Sequence, residues 1–359
     1  MHTSYFTILA SLLTPVLACS RVTYNSTTSR HHTHFVVGRS LDSLSPTNTT
    51  IWAFPPGARR FGGVQDNPFV WTSKHGTVSA VVNSTLYTEG VNTRGLAGSA
   101  LLAQQSVFQE RKESRPSIFS GVWMQYFLDM HASVHDVAEA YCPDEGGEEP
   151  FQVVPELILD EIEAKLRVVL SDAAGDNLII EFVDGRLRCH HSEDFTVSTD
   201  GPSYEEQTAV NKFWQPIGQE SLPGTSRASD RFVRLSHYNA LVPHALNPEA
   251  ALSYTAGMVR AVSTPMLPSH KNKKHDTDAG TWPTQWRVYT DLDTQKVYYE
   301  SATSPLSFWY DVNELNMTEG AEPMVLTVDH VPPSKRMRDV TDKFETVTEN
   351  SCIWTDCER

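Results

Sequence analysis

Several common signatures are missing from this chain of 359 residues. It has no GxSxG, HExxH, CxxC or P-loop, and no GxGxxG that opens a helix. The commonest serine-hydrolase, zinc and nucleotide readings therefore fall away. Positive charge is also short: 29 Lys and Arg face 44 Asp and Glu, a formal net charge of −15. Such a surface repels phosphate backbones, which argues against nucleic-acid binding. Beyond the first 18 residues no run approaches the roughly 18 apolar residues that span a bilayer, so membrane insertion is not expected. Cysteine is sparse, with five in all, and the odd number leaves one unpaired in an oxidising compartment.

What is present describes a secreted globular chain. Hydrophobic residues make up 40% and charged residues 20%, the profile of a substantial core. At roughly 150 residues per domain the length suits two domains, although one large domain also fits. After Met1-His2, SYFTILASLLTPVLA has a short apolar core and ends with Val16 and Ala18 at positions minus three and minus one from Cys19. Residues 1–18 therefore read as a secretory signal peptide cleaved before Cys19, although its n-region lacks Lys and Arg. Sequons at Asn25, Asn48, Asn83 and Asn316 agree with a secreted eukaryotic glycoprotein. Expected disulfides are Cys352–Cys357 and Cys142–Cys189, with Cys19 free; a pairing that uses Cys19 stays open, because connectivity cannot be read from sequence. A bacterial lipobox in PVLAC, with Cys19 lipidated, is a competing view that Leu17 fits poorly.

Along the chain, RVTY and HFVVGRS flank NSTTSRHHT as two strands joined by a polar loop. RHHTH (His31, His32 and His34) reads as an exposed hairpin tip beside a sequon, with no carboxylate or cysteine in phase, so no metal is assigned. GTVSAVVNSTLY and GLAGSALLA read as further strands with TEGVNTRG as the turn between them. Residues 121–141 carry apolar residues at helical spacing, ending before Cys142-Pro143. CPDEGGEEPF reads as a solvated connection, and KLRVVLSDAAGDNLIIEFVDGRLRCHH as a meander. PEAALSYTAGMVRAVST reads as a helix with Pro near its start, SHKNKKHDTDAG as a loop and QWRVYTDLDTQKVYYESA as a hairpin. No internal repeat is found.

Cleavage before Cys19 would give that residue a property no internal cysteine shares. Its α-amine, with an ordinary pKa of about 7.7 to 8.0, would lie beside a thiol of about 8.5. The amine can then take the thiol proton directly or through water, with no histidine needed.

Taken in order, CSRVTY, HFVVGRSLD, NTTIWAFPPG, TEGVNTRGL, VWMQYFLDMHASVHDVAEA, DAAGDNLIIEFVDG, LPGTSRASDRFVR and YYESATSPLSFWYDVNEL resemble the choloylglycine hydrolase and penicillin V acylase family. The resemblance covers nearly the whole of 19–359 and implies a single domain there. It implies an α+β fold, the four-layer αββα sandwich of N-terminal-nucleophile hydrolases, and hydrolysis of linear, non-peptide N-acyl amides. Such substrates, among them conjugated bile salts, penicillin V and N-acyl homoserine lactones, share a hydrophobic acyl side. The partner implied is one such small molecule; no cofactor is implied, and a homo-oligomer is left open.

Residue by residue, the resemblance makes Cys19 the nucleophile. It makes Asp42 an acceptor for the α-amine or thiol and Arg39 the positive charge that favours thiolate. Their i, i+3 spacing puts them on opposite faces of a regular strand, so both reach Cys19 only through a bend or bulge; a surface ion pair is the plain alternative. Arg231 in SDRFVR would complete the charged cluster, against a structural pairing with Asp230. The backbone N–H of Leu102 would be one oxyanion donor, and Asn92 a supporting turn residue. Asp200 stands where the family usually places an oxyanion-hole Asn. A carboxylate there opposes the developing charge, and losing the donor alone costs about 2.7 to 4 kcal/mol in comparable sites. Asp200 is therefore either protonated or turned away, or the protein is a weak or silent secreted glycoprotein of the same fold that binds acyl ligands.

Overall fold

The computed structural model describes residues 17–28, 32–158, 162–217, 221–245, 247–266, 282–335 and 337–347. Outside them lie residues 1–16 of the expected signal segment, His31, the SHKNKKHDTDAG loop and both Cys352 and Cys357.

The chain opens with a hairpin of two long strands, β1 (Leu17–Thr28) and β2 (His32–Ser43). After β3 (Thr50–Phe54) comes a ribbon of β4 (Arg59–Phe61) and β5 (Val70–Thr72). A meander follows: β6 (Thr77–Val82), β7 (Leu86–Asn92) and β8 (Ala97–Leu102). Next, β9 (Ser117–Phe119) runs into helices α1 (Ser120–Met130) and α2 (Val134–Tyr141). Two short ribbons pair β10 (Gln152–Val154) with β9 and β11 (Leu157–Ile158) with β12 (Ile162–Glu163). A second meander comprises β13 (Leu166–Ser171), β14 (Asn177–Val183) and β15 (Arg186–His191). Past β16 (Val197–Thr199) come three helices, α3 (Tyr204–Trp214), α4 (Ala228–Leu241) and α5 (Pro248–Val262). The chain then returns to strands: β17 (Thr284–Asp291), β18 (Lys296–Ser301), β19 (Ser307–Asp311), β20 (Met324–Thr327) and β21 (Glu345–Thr346).

These strands build two stacked sheets. One has six strands in the order β16-β1-β2-β17-β18-β19, the other nine in the order β15-β14-β13-β8-β7-β6-β3-β20-β21. Helices α1 and α2 pack on the nine-stranded sheet, and α4 and α5 on the six-stranded one, with α3 against α4. The result is the four-layer αββα sandwich. Strands β6, β7, β8 and β13 are buried along their whole length, because one face meets a helix and the other the second sheet. A sheet covered on both faces needs no polar alternation, which is why TVSAVV and AGSALL show none.

Close approach of helix to sheet depends on glycines. A Cβ on Gly38 would come within 2.5 Å of Thr255 and 2.8 Å of Val259 on α5, and one on Gly90 within 2.9 Å of Leu128 on α1. Gly38 immediately precedes Arg39, so the same short segment seats α5 and aims the arginine.

The 166–191 meander, the helix starting at Pro248 and the 284–301 hairpin form as their patterns indicate. Four features differ. The opening hairpin forms, but much of NSTTSRHHT is strand: Asn25 to Thr28 pair with Phe35 to His32. TEGVN belongs to β7, and only Thr93 to Gly95 turn, with Gly95 at a φ of +85°; Gly90 is there for packing. The helical stretch 121–141 is two helices, broken because Ser133 N-caps α2 by accepting from Asp136 N–H at 3.1 Å. Asn92 meanwhile captures carbonyls at the end of α1. Finally, α3 and α4 were not marked by the sequence pattern, since most of their surface is polar and partly exposed.

Cys142, at the end of α2, is disulfide-bonded to Cys189 on β15, as expected, across a sequence separation of 47. The bond ties the outer helix layer to a sheet edge. Closing a loop of that length stabilises by about 4 kcal/mol in the chain-entropy treatment. Replacing both cysteines with alanine is expected to lower unfolding free energy by a few kcal/mol in denaturant titration while leaving the Cys19 cluster intact.

Candidate active site

Strand β1 alternates between two environments. Odd-numbered residues face the second sheet, where Arg21 reaches Ser99 and Ser171. Even-numbered ones face the helices: Ser20 accepts from Arg231 at 2.7 Å, and Tyr24 and Ser26 donate to the carbonyls of Pro243 and Ala245. Cys19 is a buried free thiol on this strand.

On the inter-sheet side, Arg39 Nη2 donates to Cys19 Sγ at 2.9 Å. The same guanidinium donates to the carbonyls of Thr88 and Ala100. These carbonyls lie one step beyond Glu89–Ser99, the last pair of the β7–β8 ladder. A bulge makes this possible: β7 places Tyr87 opposite Val81 and Glu89 opposite Ala80, leaving Thr88 as the extra residue. The arginine thus takes the place of the next rung and lies over the Trp286 ring, 5.4 Å from its centroid.

On the helix side, Cys19 N–H donates to Asp200 Oδ2 at 2.5 Å. Arg231, on α4, donates to Cys19 O at 2.8 Å, to Asp200 Oδ2 at 2.8 Å and to Asp42 Oδ2 at 3.3 Å. Asp42 Oδ1 accepts from Thr284 Oγ1 at 2.6 Å. Asp42 therefore meets Arg231 and Thr284, and it is Asp200 that takes the Cys19 N–H. The i, i+3 problem resolves without a bend in β2, whose pairing with β1 is unbroken from Leu17–Ser43 to Thr28–His32. Arg39 stays on one face and Asp42 on the other; Cys19 meets Arg39 through Sγ, while its backbone meets Asp200 and Arg231 and reaches Asp42 only by way of Arg231.

Leu102, Asn92 and Arg231 are the remaining expected residues. Ala103 N–H donates to Lys165 O, so the ladder's alternation turns the Leu102 N–H away from β13, the side on which Leu102 O accepts from Gly201 N–H at 3.0 Å. Asn92 donates to the carbonyls of Leu128 and His131 and accepts from the N–H groups of Arg94 and Leu96. Every polar atom of its side chain is used structurally, as a supporting residue. Arg231 pairs with Asp42 and Asp200, whereas Asp230 accepts from Thr225. Sequence reasoning did not single out Arg21, Glu89, Thr284 or Trp286. The signal available for Arg21 was its i, i+2 position from Cys19, which puts both on one strand face.

Charge is sorted by face. Between the sheets, Arg21 and Arg39 face one carboxylate, Glu89; on the helix side, Arg231 faces two, Asp42 and Asp200. With Cys19 still joined to Ala18, burial pushes its thiol up to about 12, Arg39 working against that and Asp200 and Asp42 with it. Burial likewise lifts Asp42 to about 6 and raises Asp200, in each case opposed chiefly by Arg231. Arg39 and Arg231 stay above their ordinary range, burial being outweighed by Cys19 and Glu89 for the first and by Asp200 and Asp42 for the second. Among the described residues no three His, Cys, Asp or Glu side chains group as metal ligands.

A model of the linear amide C–N hydrolases, choloylglycine hydrolase family, matches residues 19–215 and 205–328. The chain belongs to this family. A penicillin V acylase of Pectobacterium atrosepticum is 32% identical over 325 residues, covering 84% of this chain and 82% of that protein. The structure of penicillin V acylase from Agrobacterium tumefaciens superposes with a TM-score of 0.77 at 30% identity, covering 92% of this chain and 98% of that one. A conjugated bile acid hydrolase variant from Clostridium perfringens, at 16% identity and a TM-score of 0.69 over 90% and 98% of the chains, shares the fold. In this choloylglycine hydrolase family member, the match begins at the residue that the charged cluster surrounds.

A buried carboxyl whose pKa is raised on folding stabilises fully below its unfolded value, and the contribution is lost as pH rises through its folded value. In the uncleaved chain Asp42 should therefore make stability fall between about pH 4 and pH 6. Asp42→Asn should remove that slope, a difference of at most about 3 kcal/mol, readable in denaturant unfolding across pH.

Proposed function

We propose that this protein is secreted, loses residues 1–18, and then hydrolyses linear N-acyl amides with Cys19 as nucleophile. The observation that carries this reading is the placement of Cys19, with Sγ on Arg39 and its nitrogen on Asp200. Cleavage would turn that nitrogen into an amine on the side with one negative charge in excess, while Sγ faces the side with one positive charge in excess. Moving the thiol proton to the amine neutralises both sides at once. In the uncleaved chain no amine is present, and the thiol stays protonated near neutral pH.

In the reaction that follows, thiolate Sγ adds to the amide carbonyl carbon, and the carbonyl oxygen becomes an oxyanion to which the Leu102 N–H can donate. The Cys19 ammonium gives a proton to the departing nitrogen; the C–N bond breaks, leaving a thioester and a free amine. Water then attacks the thioester with the Cys19 amine as base, releasing the carboxylic acid and restoring the thiolate. Asp200 holds the ammonium through Oδ2, the same oxygen that Arg231 pairs with and neutralises. Arg231 also fixes the Cys19 carbonyl, so one guanidinium sets both the position and the charge of the nucleophile's backbone.

The two relatives named above at 30% identity or more are penicillin V acylases, so that N-acyl amide is the substrate to test first, beside lipid and secondary-metabolite amides. Asn25, Asn48 and Asn316 are exposed, which supports glycosylation in the secretory pathway. The silent, ligand-binding reading draws support from the same buried thiol, and applies if Cys19 is never released as an N-terminus.

N-terminal sequencing of the secreted protein is expected to start at Cys19, and Cys19→Ala to lower amide hydrolysis by at least about a thousandfold with the fold retained. Unchanged turnover in that variant would sink the mechanism. Asp200→Asn, which removes the negative charge that faces the ammonium and leaves Arg231 short of one charged partner, should reduce kcat/KM by about tenfold or more. A rise at neutral pH would mean that the carboxylate faces the oxyanion.

A further inference from the structure

A second charged pair lies behind Arg39. Arg21 Nε donates to Ser99 Oγ at 2.8 Å, Ser99 Oγ donates to Glu89 Oε2 at 2.5 Å, and Glu89 Oε2 stands 3.5 Å from Arg39 Nη1. Glu89 and Ser99 are cross-strand partners on β7 and β8. Arg21 is further pinned by Ser171 Oγ at 3.0 Å and Thr23 Oγ1 at 3.2 Å. All three charged side chains are essentially buried, at 1%, 0% and 3% exposure for Arg21, Arg39 and Glu89. Arg21 Nη2 and Glu89 Oε1 have no hydrogen-bond partner among the described residues, so the pair is not explained by full hydrogen bonding. In a buried layer between two sheets, charges at these separations are weakly screened.

Arg39 is consequently shared between two groups, Cys19 Sγ and Glu89, while Glu89 is shared between Arg39 and Arg21. We infer that Glu89 and Arg21 are positioning residues that set how much of the Arg39 charge reaches the Cys19 sulfur. Removing the Glu89 charge leaves Arg39 undivided. Removing Arg21 leaves Glu89 with Arg39 alone and draws that charge away from sulfur. The other charged or titratable groups facing this cluster are Asp42 on β2, Asp200 beyond β16, Arg231 on α4, Arg167 on β13 beside Asp200, Arg287 on β17 beside Asp42, and Tyr310 on β19 beside Glu89. None of them is altered by the two substitutions.

The inference rests on Cys19 as nucleophile, and its test needs no substrate. The pH midpoint of thiolate formation is read from ultraviolet absorbance of the mature protein, as a difference against Cys19→Ser. Glu89→Gln, which keeps shape and removes charge, should lower the midpoint by about one pH unit, and Arg21→Met should raise it by about as much. The double variant restores one excess positive charge and should return close to wild type. Equal-sign shifts, or no shift, in folded variants overturn the inference. A Glu89→Gln chain that does not fold also overturns it, by assigning Glu89 to the core; if only Arg21→Met fails to fold, the downward shift in Glu89→Gln decides. Opposite shifts in a protein that cleaves no amide keep this inference and sink the amidase reading, whereas active hydrolysis with unmoved midpoints does the reverse.

Discussion

Arg39 and Arg231 are buried on opposite sides of the strand that carries Cys19, and burying them is tolerable only because each has carboxylates or carbonyls within reach. Arg39 takes two backbone carbonyls and the cysteine sulfur; Arg231 takes Asp42, Asp200 and the cysteine carbonyl. Neither set can be rearranged alone. The bulge at Thr88, the end of the β7–β8 ladder and the docking of α4 on β1 all serve the same two guanidinium groups.

That arrangement makes the chemical state of residue 19 depend on what precedes it. With Ala18 attached, the helix side of β1 carries an uncompensated negative charge and the buried thiol is held protonated. A protonated amine at the same point would offset that charge. The proposed activity therefore depends on removal of one peptide bond, the one between Ala18 and Cys19.

Much of the fold was legible because its patterns are local. The β-branched and aromatic runs RVTY and HFVVGRS marked the opening hairpin, DAAGDN and DGR marked the meander, and Pro248 marked the start of α5. Less was legible where a residue's job lies in another layer. Gly90 looked like part of a turn and is instead the close contact under α1. Asn92 supports the turn as expected, but the end of α1 that it also holds is 36 and 39 residues away. Helix α4 carries Arg231 on a surface too polar to show a clear apolar stripe.

By itself the sequence determined that Cys19 lies in a strand behind an apolar segment, that Arg39 and Asp42 occupy opposite faces, and that Cys142 can pair with Cys189. Strand parity and residue chemistry are properties of short stretches, so they survive without coordinates. Only the tertiary structure decided which carboxylate meets the Cys19 nitrogen. Asp200 lies 181 residues away and arrives because β16 pairs beside β1, whereas Asp42 belongs to the adjacent strand and is claimed by Arg231 and Thr284. Alternation says which face a side chain takes; what is stacked on that face depends on how distant elements pack.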